Sequence, residues 1–320
     1  MASHSSKRVI FAALIGNSLI AVTKFGASVY TGSSAMLSEA IHSLVDSGNQ
    51  LLLLYGLRRS TQKADETHPF GYGRELYFWA FVVAILIFAV GAGVSLYEGI
   101  LKLQNPHPVS DPMINFLVLG FAMIFEAGAL YVAMREFNKV RGSARLLTAV
   151  RHSKDPAVFT VLFEDTAAML GLVIAMVSLL IAEYFGLPWM DGAASVAIGV
   201  LLACTAMFLA FETKALLIGE AASDLLRTGV EEIVDAAGSV RGINELRTMH
   251  MGPQDVLLAL SLDFHDELSA GKVEESIYIL EMAIKSRFPE IKRLFIEVQA
   301  EARHDEVAAA DANRQAAEDA

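Results

Sequence analysis

Ser34-Ala35-Met36-Leu37-Ser38-Glu39-Ala40-Ile41-His42-Ser43-Leu44-Val45-Asp46-Ser47-Gly48-Asn49-Gln50 sits between apolar runs and continues into Leu51-Leu52-Leu53-Leu54. At helical spacing Glu39, His42, Asp46 and Asn49 fall on one face, and Ile41, Leu44, Val45 and Leu52 lie away from it. In a lipid-soluble chain such a stripe is costly unless it faces a cavity or partners. His42 and Asp46, one turn apart, can present an imidazole and a carboxylate to one ion. The competing reading is a hydrogen-bonded seam between helices, which three ionisable groups in one stripe disfavour.

Working outward, the chain is 320 residues long, 54% hydrophobic, with a mean hydropathy of +0.46. Those values fit a membrane protein with a polar portion better than a soluble domain. A net charge of −11 argues against nucleic acid as a partner. The one cysteine, Cys204, lies in an apolar run, which leaves neither a disulfide nor a thiolate zinc site. Six segments have the length to cross a bilayer, at about 9–30, 35–57, 77–100, 112–134, 157–182 and 190–211. The first follows Lys7 and Arg8 and is too long for a signal-peptide core, so no cleavable signal is expected. Basic residues gather before the first span, between the second and third (Arg58, Arg59, Lys63, Arg74), between the fourth and fifth (Arg135, Lys139, Arg141, Arg145, Arg151, Lys154) and after the sixth (Lys214). By the positive-inside rule both termini are cytoplasmic.

Few ionisable residues lie within the spans. Lys24 and Glu98 stand near outer ends and read as snorkelling structural residues; Glu126, mid-span in the fourth segment, reads as a capped structural acid, with a proton-carrying group as the alternative. Glu164-Asp165 is harder to excuse, because adjacent carboxylates about two turns into a helix need a reason. Thr160, Ala167, Ala168, Gly171, Ala175 and Ser178 form a small-residue face beside them, which permits close approach of another helix. Measured from the cytoplasmic end, Asp165 lies about 12 Å deep and Asp46 about 16 Å, so the two can share an ion.

After Lys214 the composition turns soluble. A helix is expected over about 224–237, strands over Asn244–His250 and Asp255–Phe264 around a Gly252-Pro253-Gln254-Asp255 turn, a helix at about 269–287, and a strand over Ile291–Gln299. From Glu301 onward Ala, Asp and Glu dominate and no core can form, so disorder is expected.

Gly32-Ser33-Ser34-Ala35 through Asp46, His68-Pro69-Phe70-Gly71-Tyr72-Gly73, and Lys154 through Gly171 together resemble the cation diffusion facilitator family of zinc transporters, over roughly residues 8–300. Phe163-Glu164-Asp165-Thr166-Ala167-Ala168 looks like the branch that includes the mitochondrial zinc transporters of animals. The resemblance implies an α-helical membrane protein: six transmembrane helices in a transport domain (residues 1–213), a cytoplasmic αββαβ, ferredoxin-like domain (214–300) and the acidic tail (301–320). It implies a homodimer in the cell (inner) membrane that exchanges cytoplasmic Zn2+ for protons, with Mn2+, Fe2+ or Co2+ as alternative cargo, and with no organic cofactor. By position His42, Asp46 and Asp165 match the family's metal ligands.

The chain also departs from the family pattern. The usual histidine four residues before the aspartate is Val161, and Glu164 precedes Asp165, either reaching the ion or binding the exchanged proton, so the expected set of His42, Asp46, Asp165 and Glu164 is richer in oxygen. Where many relatives carry a two-metal site in the soluble domain, Asn244, Ser261, Glu297 and Gln299 form a poor ligand set, and His250 and His265 read as ordinary strand residues. A further loop site would have only Asp65, His68 and Glu66. Against the metal–proton antiporter stands a non-transporting membrane sensor or scaffold, which the intramembrane carboxylates disfavour. Nothing in the sequence supports an enzyme.

Overall fold

The computed structural model describes residues 2–106, 111–141 and 154–318. Arg145 and Arg151, used above to orient the spans, lie outside these residues. The chain divides into two compact units, Met1–Leu217 and Ile218–Ala320.

Among the described residues the first unit holds six long helices: α1 Ala2–Thr31, α2 Ser34–Ser60, α3 Glu75–Gln104, α4 Pro112–Arg141, α5 Pro156–Phe185 and α6 Trp189–Ile218. α3 widens to a π-helical stretch over Ile87–Ala92. Among the described residues four helices are long and apolar enough to cross a membrane: Glu75–Gln104, Pro112–Arg135, Phe159–Phe185 and Trp189–Ile218. α2 has the length, at 27 residues, but its polar side dilutes its hydropathy. The expected six spans therefore rest on α1 and α2 adding to these four.

α2 is turned inside out relative to a helix of a water-soluble protein. Its buried side holds Glu39, His42, Asp46 and Asn49, while Leu44, Leu51 and Tyr55 are about half exposed. Apolar side chains facing outward and polar ones inward are stable only when the surroundings are hydrocarbon. Small residues let the helices of this unit approach closely. A Cβ on Gly99 of α3 would stand 2.7 Å from Val196 Cγ2 of α6, and one on Gly199 of α6 would stand 2.7 Å from Leu96 Cγ.

The α1–α2 junction needs only two residues. Gly32 supplies a left-handed conformation (φ 68°), and the Ser33 hydroxyl accepts from Met36 N to cap α2. Asp191, in the first turn of α6, completes that cap from a distant part of the chain. Its buried carboxylate accepts from Ser33 Oγ (2.6 Å), Ser34 N (2.7 Å), Ser34 Oγ (3.0 Å) and Ala35 N (3.3 Å). Lys102 Nζ of α3 lies 3.8 Å from the same carboxylate and donates to Gly32 O. One acidic side chain thus ties the starts of α2 and α6 to the end of α3. It does so where the α2 dipole favours a negative charge.

The second unit runs α7 Asp224–Asp235, β1 Val240–Gly252, β2 Asp255–Phe264, α8 Ala270–Arg287, β3 Ile291–Val298 and α9 Glu301–Glu318. Its first five elements are the αββαβ order the sequence predicts, with β1 starting earlier, at Val240. The sheet has the order β1-β2-β3, with β1 and β2 antiparallel and β2 and β3 parallel, so α8 is the crossover. Val256, Leu258, Leu260 and Leu262 of β2 pack with Leu226, Val230 and Val234 of α7 and Leu280 and Ile284 of α8.

The acidic tail is a correction. It is helical over Glu301–Glu318, where the sequence reading expects disorder. Its residues are almost all exposed, so no core is needed; the alanines favour a helix intrinsically, and Arg303–Glu306 and Asp311–Arg314 form ion pairs three residues apart.

Removing the Asp191 carboxylate should loosen the end of the first unit where α2 and α6 start and α3 finishes. Asp191→Ala is expected to cost about 2–3 kcal/mol, the loss of a helix cap plus buried donors left without an acceptor. Thermal unfolding of the detergent-solubilised protein measures it.

Candidate metal centre

α2 and α5 pack against each other in the first unit and carry the expected ligands. On α2, His42 and Asp46 are both buried, and His42 Nδ1 lies 3.5 Å from Asp46 Oδ1. Neither ring nitrogen of His42 has a hydrogen-bond partner, nor does Asp46 Oδ1. On α5, Glu164 and Asp165 are buried as well. Buried polar atoms are ordinarily satisfied, so a set of vacant nitrogen and oxygen donors marks a place suited to a cation or protons.

The four residues are held differently. Glu164 Oε1 accepts from Asn49 Nδ2 at 2.7 Å, one turn beyond Asp46 towards the C-terminal end of α2. Val161, where an imidazole is expected by resemblance, packs with the apolar core. Among the described residues, no three His, Cys, Asp or Glu side chains come together closely enough to hold one metal ion. The α2 pair and the α5 pair face a shared region but do not converge. Asp46 is nevertheless within electrostatic reach of Glu164, Glu126 and Asp165. Mutual repulsion among acids in a low-dielectric interior is relieved by a divalent ion or by protons.

Two sequence readings need correction here. Lys24 does not snorkel: it is 1% exposed, and its Nζ meets Glu39 Oε2 at 3.1 Å and Ser43 Oγ at 2.8 Å. Its apolar neighbours along α1 suggest a lipid-facing end, but the partner that draws it inward is on another helix. Glu126 of α4 is buried and acts electrostatically on both Asp165 and Glu164, so it belongs to the acidic cluster. Its mid-span position was the signal for it.

The loop between α2 and α3 is a built turn. Asp65 accepts from Thr67 N, Thr67 Oγ1, His68 N and Tyr72 OH, which uses its lone pairs and pushes its pKa down to about 2. In the second unit Asn244 Nδ2 donates to Ser261 Oγ and to Gln299 O, so these positions satisfy one another. His250 is buried beside Gly252 O, and His265 is exposed.

The depressed Asp65 pKa has a testable consequence. A carboxylate with a lowered folded-state pKa stabilises its turn above the unfolded value of about 4, and that contribution is lost as pH falls towards 2. Amide exchange at Thr67 and His68, corrected for intrinsic rates, should therefore be protected at pH 5 and lose protection between pH 4 and pH 2.

A model of the cation efflux transmembrane domain matches residues 10–218. The chain is 31% identical over 298 residues to the proton-coupled zinc antiporter SLC30A9, mitochondrial, of Mus musculus, covering 92% of this chain and 52% of that protein. It is 30% identical to metal tolerance protein C4 of Arabidopsis thaliana (82% of this chain, 58% of that one) and 29% identical to the cation-efflux pump FieF of Cronobacter sakazakii (88% and 89%). The chain thus spans about half the length of the mouse and plant relatives. A solved MamM CTD structure in a nickel form aligns with 24% of this chain and 98% of its own length, at 19% identity and a TM-score of 0.23.

Proposed function

The chain belongs to the cation efflux family, and on that premise we propose that it is a divalent-cation transporter that exports Zn2+ from the cytoplasm in exchange for protons, and not an enzyme. The observation that carries the reading is the buried, unpartnered His42–Asp46 pair of α2, set against the Glu164–Asp165 pair of α5. In this reading His42, Asp46 and Asp165 ligate the ion, and Glu164 joins them or carries the exchanged proton. Names of the relatives support zinc; the oxygen-rich ligand set keeps Mn2+, Fe2+ and Co2+ as the alternative cargo.

The chemistry follows from the ligands. An imidazole binds metal only when neutral and a carboxylate only when ionised, so metal entry releases protons and protonation releases metal. Because the α2 and α5 pairs stand apart, binding draws the two helices together, and separating them opens the ion to water. Such a step is a relative movement of packed helices about close small-residue contacts. The proposal extends to the rest of the molecule: a transport domain over residues 1–213, a soluble domain over 214–300, a homodimer, and a bacterial-type inner-membrane location with both termini cytoplasmic.

Asp46→Ala and Asp165→Ala should abolish Zn2+ uptake into proteoliposomes while the protein still inserts and elutes as wild type. Near-normal uptake by both variants contradicts the assignment. Glu164→Gln separates two roles for its side chain. If Glu164 is a ligand, Zn2+ affinity should fall by about tenfold or more, as when a charged member of a metal site is lost. If it carries the proton, affinity should hold and transport should lose its dependence on pH.

A further inference from the structure

Lys24 and Glu39 lie outside the set assigned above, yet they are among the most deeply buried charges in the first unit. Lys24 is 1% exposed and Glu39 0%. The ammonium is held by Glu39 Oε2 at 3.1 Å and Ser43 Oγ at 2.8 Å, both from α2. A carboxylate and a hydroxyl oxygen converging on one cationic nitrogen is a cation site whose occupant happens to be tethered to α1. The other carboxylate oxygen, Glu39 Oε1, is fully buried and has no hydrogen-bond partner. It lies against Gly171 of α5, where an added side chain would require the Glu39 carboxylate to move.

The position of this cluster matters. Glu39 precedes Asp46 by seven residues on α2, and Gly171 follows Asp165 by six on the oppositely directed α5. At 1.5 Å per residue both are displaced by about 10 Å along the helices, in the same direction, away from the cytoplasmic ends. Glu39 therefore sits between the ligand pairs and the outer face, on the same helix–helix seam. A bare buried carboxylate oxygen on that seam is expensive unless something binds it at some stage.

We propose that Glu39 and Ser43 form a second, transient cation site on the outward path, which Lys24 fills when no metal is there. The inference rests on the transport reading and extends it: the ion leaving His42 and Asp46 displaces the Lys24 ammonium from Glu39, and Lys24 returns once the ion has gone. The donors at this site are all oxygen, so Zn2+ is held there more weakly than beside the His42 imidazole, as a transient stop requires. Gly171 leaves room on the seam for the Glu39 carboxylate where it now lies. Lys24 is a positioning residue, and its charge prevents the ion from resting at Glu39.

Zn2+ binding to the full-length protein in lipid nanodiscs tests this, with stoichiometry read by calorimetry. Lys24→Met removes the tethered cation and should add a Zn2+ per protomer relative to wild type; the added ion should vanish in Lys24→Met with Glu39→Gln. A folded Lys24→Met protein with wild-type stoichiometry overturns the proposal, as does an added ion that survives in the double variant. Because Lys24→Met leaves a buried acid without its partner and can fail to fold, Glu39→Gln alone is the second arm. It keeps the shape and should slow Zn2+ efflux by about tenfold with unchanged equilibrium binding. An unchanged efflux rate overturns the proposal. Asp46→Ala in the Lys24→Met background separates the two readings. Loss of one ion with the added one retained supports both, whereas loss of neither sinks the transport site and leaves the Glu39 site standing.

Discussion

A helix that carries Glu39, His42, Asp46 and Asn49 along one side crosses hydrocarbon only when that side is covered. Most of the first unit meets that demand. α1 brings Lys24 to Glu39, α5 brings Glu164 to Asn49, and α4 brings Glu126 into the same interior. Asp191 holds the start of α2 by four hydrogen bonds and so fixes where along the seam each polar residue falls. The apolar residues of α2 are left facing outward.

Coverage is incomplete along α2: Ser38 Oγ, Glu39 Oε1, Asn49 Oδ1 and Gln50 Oε1 are buried without hydrogen-bond partners, as are atoms of His42 and Asp46. Two ring nitrogens and a carboxylate oxygen are buried without hydrogen-bond partners, while the neighbouring Glu164 is satisfied. Each unmade buried hydrogen bond costs about 1–3 kcal/mol, so this helix carries a sizeable penalty. At His42 and Asp46 the unpartnered atoms belong to residue types that bind divalent metals and lie beside other acids. In the proposed reading, ion binding at His42 and Asp46 offsets part of that cost.

Much of this is legible in the sequence, and for one reason: the signals are local. The α2 stripe repeats at helical spacing, Glu164-Asp165 interrupts an apolar run, and the αββαβ order follows alternation and turn residues. Pairings across the chain are not legible in that way. Nothing near Lys24 announces Glu39 fifteen residues on, because an α1 lysine close to a helix end looks the same whether it reaches for lipid headgroups or turns inward. Asp191 looks like an ordinary acidic first-turn residue of α6; only the fold brings it to Ser33 and Ser34. The helical tail was missed for a different reason, since the absence of a core argues against tertiary structure but not against an alanine-rich helix.

The account stands on one imidazole and several carboxylates meeting a single ion. X-ray absorption at the zinc edge of the Zn2+-loaded protein reads that shell directly. The predicted first shell holds one imidazole nitrogen, from His42, with the remaining ligands oxygen at about 2.0–2.2 Å and no sulfur. A shell with two or more imidazoles, or with none, contradicts it.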